Sequence, residues 1–110
     1  MIPQETLDEL TSKHKRVQAI AVEGHDLVIR APTRAEYKVW RAQKDTSPEA
    51  TEDMLRKCVV YVDGVSGDWA TTVAKFDELL EVFPGIPESK AVGAPLMKFL
   101  GLTASESGKG

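Results

Sequence analysis

The run VQAIAVEGHDLVIRAPTRAEYKVWRA, residues 17–42, constrains this chain more than any other part of it. Two short β-prone stretches flank Glu23-Gly24-His25-Asp26, and Gly24 is free to take the positive φ of a tight reversal. Residues 17–31 therefore read as a β-hairpin. Directly after it, Thr33 can cap a helix and Glu36, three residues on, completes a capping box. A hairpin running into a capped helix over residues 33–44 sets the expected class: α+β, one domain, mainly helical, with one N-terminal hairpin.

Helical spacing accounts for most of the remainder. Ile2, Leu7 and Leu10 suit a short helix over 3–14 that ends in cations, as a helix C-terminus favours. Asp45-Thr46-Ser47-Pro48 breaks the chain and restarts it, with Ser47 as cap and Pro48 at the first helical position. The next helix, 48–62, gathers Ala50, Met54, Leu55, Cys58, Val59, Tyr61 and Val62 on one arc. Asp68 caps a helix over 69–82 whose apolar stripe is Trp69, Val73, Phe76 and Leu80, running on to Phe83. Residues 88–101 read as helix in two short pieces, because Pro95 suits a helix start better than its middle. Residues 103–110 are small and polar, and a flexible tail is expected there.

At 110 residues one core is feasible without staples. No apolar run approaches the roughly 20 residues that span a bilayer, and MIPQETLDEL does not read as a secretion signal. The lone Cys58 suits a reducing compartment, so a cytoplasmic protein with no membrane partner is expected. Net charge is −3, which argues against general affinity for nucleic acid. The signs are unevenly spread: residues 13–44 carry eight Lys or Arg against three acids, and residues 45–88 carry ten acids against three bases. Such a chain has either a mixed surface or a basic side that meets the acidic side of a neighbour, possible self-association included.

Catalytic groups do not converge in the sequence. Cys58 with His14 or His25 could imitate a thiol–imidazole pair, but Cys58 falls on the apolar arc of its helix, where a free cysteine packs as a small hydrophobe. One Cys and two His without CxxC or HExxH spacing fall short of a zinc shell, so no metal is expected. Glu52/Asp53 and Asp77/Glu78 fall on solvent arcs, and the glycines are isolated turn residues that build no phosphate loop. No enzyme and no cofactor is expected.

The helix over 33–44 carries apolar side chains on two faces. At about 100° per residue, Ala35, Val39 and Ala42 share one, while Tyr37 and Trp40 share another. Arg34, Lys38 and Arg41 form a basic stripe on one flank between them. Either both aromatics enter the core and the small face is half exposed, or the aromatics bordered by arginines form a contact patch. Aromatics and Arg are enriched at protein–protein hot spots, so Arg34, Tyr37, Lys38, Trp40 and Arg41 are the expected partner-binding residues.

The order of LVIRAPTRAEYKVWRA, LRKCVVYVD and FDELLEVFPGIP, with a short apolar segment after them, resembles the small tail assembly chaperones of long-tailed bacteriophages and prophages. The likeness spans roughly residues 17–100 and is best at Arg30-x-Pro32-Thr33-x-x-Glu36-Tyr37 and at Phe83-Pro84-Gly85. VVYVDGVSGDW departs from the pattern, which has proline near Val62. The resemblance implies a non-enzymatic role in the host cytoplasm: binding and solubilising the tape measure protein, helping to recruit tail tube protein, and absence from the mature virion. It also implies that a ribosomal frameshift near Ser107-Gly108-Lys109 could make a longer form. Two other roles fit the residues: a small regulatory module such as an inhibitor or antitoxin-like partner, or another phage tail or connector protein.

Overall fold

The hairpin turns set the sheet. In the computed structural model, which describes residues 2–101, β1 (Val17–Val22) and β2 (His25–Arg30) are joined by Glu23 and Gly24 alone. Both turn residues have positive φ, 51° and 77°, the two-residue reversal whose twist matches its strands. The same device recurs at Asp63 and Gly64, with φ of 45° and 94°. It joins β3 (Val59–Val62) to the two-residue β4 (Val65–Ser66). All four strands form one antiparallel sheet in the order β1-β2-β3-β4.

The class is mixed α+β and mainly helical, as expected. Helix α1 (Gln4–His14) precedes the hairpin, and α2 (Arg34–Gln43) follows it. Then come α3 (Ala50–Cys58), α4 (Trp69–Val82), a 3-10 turn (Ile86–Glu88) and α5 (Lys90–Phe99). The sheet is sandwiched. Ile20, Val22, Leu27, Ile29, Val59 and Val62 face a core built with α2 to α5. Val28 and Tyr61 face the other way, where Leu10 of α1 covers them. Burial on both faces explains why Leu27-Val28-Ile29 is an unbroken apolar run.

Three boundaries differ from the sequence reading. The helix expected over 48–62 stops at Cys58, and the sheet gains β3 and β4 beyond the one hairpin expected. Val59-Val60-Tyr61-Val62 is β-branched and aromatic, and β2 offers those residues an edge to pair with. A bulge at Val60 keeps Val59 and Val62 on the main core: Ile29 opposes Val59 while Val28 opposes Tyr61. The same helix begins at Ala50 rather than at Pro48, and Ser47 accepts a bond from the Ala50 N–H with its carbonyl, not its hydroxyl. The two short pieces expected over 88–101 are instead one helix with Pro95 inside it. Pro95 deprives the Ala91 carbonyl of its helical donor, but Val92 and Leu96 on the same face are fully buried, and their packing prevails. The tail expected over 103–110 lies outside the described residues.

One ion pair ties sheet and helices together. Arg30, the last residue of β2, grips both oxygens of Glu36 at 2.8 and 2.9 Å. Its Nη2 also donates to the carbonyl of Lys57 at 2.9 Å, one of the orphan acceptors at the end of α3. Glu36 meanwhile completes the expected capping box, accepting from the Thr33 N–H at 2.9 Å. The Arg30 bonds hold the Glu36 carboxyl down to about 2, against the opposing cost of burial and with help from the Thr33 N–H. Because that value lies below the unfolded one, the stabilisation is complete above about pH 4.5 and is lost as pH falls toward 2; it is on the order of 2 kcal/mol after allowing for solvent at the pair. Glu36→Gln keeps a side chain able to cap but removes the charge. It should cost roughly 2 kcal/mol at pH 7 and flatten the acid limb of a urea-denaturation stability curve taken from pH 7 to pH 2.

Candidate functional site

Helix α2 places its side chains by simple periodicity. Glu36, Val39, Trp40 and Gln43 follow i, i+3, i+4, i+7 and form one wall of a cleft of about 300 Å3. Ala50, Asp53, Met54 and Lys57 repeat that spacing on α3 as the facing wall, and Trp69 closes one end. The floor is buried, with Trp40 6% and Met54 3% exposed. Two side chains on the rim are not: Val39 is 46% and Trp69 53% exposed. The cleft thus carries two exposed apolar side chains, framed by Glu36, Gln43, Asp53 and Arg56.

The walls are fixed. Trp69 Nε1 donates to the carbonyl of Arg56 at 2.9 Å, which pins the indole against the end of α3. The guanidinium of the same Arg56 grips Asp77 of α4 through two bonds of 2.9 Å. Asp68 holds the start of α4, accepting from the N–H of Thr71 at 3.0 Å. The other wall is held by the Arg30–Glu36 grip.

The contact patch expected from Tyr37 and Trp40 does not form as such. Trp40 is buried against α3, its Nε1 donating to Thr51 Oγ1 at 3.1 Å. Tyr37 is half-buried beside it, ring centroids 6.0 Å apart, and packs on the core. The faces of α2 take opposite roles: the aromatic one goes in, and Ala35, Val39 and Ala42 stay exposed. Arg34, Lys38 and Arg41 are exposed as expected. Arg34 and Tyr37 line a shallow cleft with Phe99 and Leu100, apart from the α2–α3 groove. Trp69, expected on the core stripe of α4, stands outside it. A tryptophan at the first position of a helix lies before the stripe it seems to begin, and that position is the signal that could have found it.

The remaining candidate groups stay dispersed. Cys58 is fully buried, and burial pushes its thiol up to about 11, so it is protonated and enclosed at neutral pH. His25 Nδ1 lies 2.6 Å from Asp63 Oδ2, and the Asp26 N–H donates to the other oxygen of that carboxylate at 2.9 Å. This pair joins the two hairpin turns. Burial works against the Asp63 charge, yet the Asp26 N–H and the His25 ring hold its carboxyl below the ordinary range. Among the described residues, no three His, Cys, Asp or Glu side chains gather closely enough to hold a metal ion, and no helix is long and apolar enough to cross a membrane.

No protein-family model and no curated protein matches the chain. A solved structure, that of "uncharacterised protein rbstp2171" from Bacillus stearothermophilus, shares its fold: TM-score 0.65, 24% identity, covering 89% of this chain and 94% of that one.

The two tryptophans separate structure from surface. Trp40→Ala should cost roughly 3–5 kcal/mol in urea denaturation through the cavity it leaves. Trp69→Ala should cost under about 1 kcal/mol, the scale of one exposed hydrogen bond.

Proposed function

We propose that this chain is a non-enzymatic protein-binding module acting as a tail assembly chaperone in the cytoplasm of a phage host. It covers apolar stripes of the tape measure protein, keeps that protein soluble and helps bring tail tube subunits to it. The observation that carries the reading is the α2–α3 groove, where Val39 and Trp69 stay half exposed between walls already locked in place. A rigid apolar groove suits an apolar helix, because little side-chain freedom is lost on docking. The resemblance at residues 30–37 and 83–85 is the ground for taking that helix to be the tape measure protein's.

The test is co-expression with the large helical protein encoded beside this gene, measuring how much of that protein remains in the soluble fraction. Wild type should raise the soluble fraction several-fold. Val39→Asp and Trp69→Ala should lose most of that gain while each variant keeps the wild-type circular dichroism spectrum. Equal solubility of the large protein with and without this chain refutes the chaperone role.

A further inference from the structure

A second cleft, of about 610 Å3, opens beside Trp69, between α1, the start of β3 and the start of α4. Its floor is apolar, with Leu10, Val59 and Val60. Its basic lining comes from three separate elements: Lys13 and His14 at the end of α1, Arg30 of β2 and Lys57 of α3. Glu9 is the one acid among the lining residues, and Arg30 is already matched by Glu36. Among the described residues Lys13 and Lys57 have no ion-pair partner. The local field registers in His14, which burial, then Lys13 and Arg30, hold below the ordinary histidine range.

Trp69 and Lys57 line both this cleft and the α2–α3 groove. The two depressions therefore meet at the indole: Val39 and Met54 lie in the groove, flanked by the acids Glu36 and Asp53, and Lys13 lies in the cleft beside Glu9, while Lys57 lines both. We infer that the segment this surface takes is an apolar helix carrying acidic side chains next to its apolar anchor, the anchor seated against Val39 and Trp69 and the carboxylates against Lys13 and Lys57. This rests on the protein-binding reading above and adds the chemistry of the partner. Charge complementarity argues for it, and the chain's net charge of −3 sharpens the test. The protein as a whole repels an acidic ligand, so any preference for one reports the local surface.

The probes are two dye-labelled synthetic amphipathic helices with the same leucine stripe, one with a glutamate polar face and one with a lysine polar face, titrated with the full chain by fluorescence anisotropy. The acidic peptide should bind about tenfold tighter at low salt, and the preference should fade at high salt. The double variant Lys13→Glu with Lys57→Glu should reverse the order, while the neutral Val39→Asn should weaken both peptides alike. Equal binding of both peptides, or a preference for the lysine peptide by wild type, overturns the inference and leaves the chaperone role to its own solubility assay. Tighter binding of a single-stranded oligonucleotide of matched charge overturns it in favour of nucleic acid. Self-association that Val82→Asp abolishes, together with loss of peptide binding as protein concentration rises, overturns it in favour of a second copy.

Discussion

The grip of Arg30 on Glu36 is the interaction on which the rest of the arrangement turns. Its carboxylate sits in the first turn of α2, where the helix dipole favours an anion, and its guanidinium reaches the last turn of α3, where the dipole favours a cation. One pair thus answers two helix ends and anchors both to the final residue of β2. Release of it would leave a half-buried guanidinium unmatched and free α2 to roll against α3. The groove between those helices would then lose its shape. Glu36 itself lines that groove, and Lys57, whose carbonyl Arg30 holds, lines both depressions beside Trp69. The surface proposed for binding is therefore built on a part-buried, two-bond ion pair.

What could be read from the residues was whatever is decided locally. The first hairpin announces itself through Gly24 between two β-prone runs, the start of α2 through Thr33 and Glu36, and the start of α4 through Asp68. What could not be read was decided by pairing across the chain. Val59 to Val62 continue the apolar arc of α3 on a helical wheel, and the open edge of β2 is what draws them into a strand. Asp63-Gly64 forms the same kind of two-residue turn as Glu23-Gly24, and it stands just past the run that keeps helical spacing. Trp40 and Val39 are neighbours on one helix, and only the position of α3, with Thr51 ready to accept the indole N–H, decides which of them is buried. Pro95 shows the same rule in reverse: a local breaker is tolerated where Val92 and Leu96 have a core to fill.

The ion pairs of the fold leave the uneven charge of the sequence largely in place. Arg30 and Glu36 neutralise one another within the basic segment, and Arg56 and Asp77 do so within the acidic one. His25 and Asp63 pair across the two. Among the described residues, the charges left unpaired include Lys13 and Lys57 beside Trp69, and Glu81 next to the exposed Val82 at the other end of α4.

Magnitudes limit what one groove can do. The exposed parts of Val39 and Trp69 come to roughly 200 Å2, worth about 5 kcal/mol when covered. Association costs an estimated 4–15 kcal/mol in lost freedom, so this patch alone roughly breaks even. A stable complex needs the partner's own apolar area, charge contacts beyond the indole, or several copies engaged along one partner, where each further docking event gains from the high effective concentration created by the first. A long helical protein with repeated apolar stripes would supply the first and third, and acids beside those stripes the second. Weak single contacts would also let the chain come off again, which a helper absent from the finished particle must do. On the proposed role, modest exposure at Val39 and Trp69 is what reversible coverage requires, and a deeper, greasier groove would work against it.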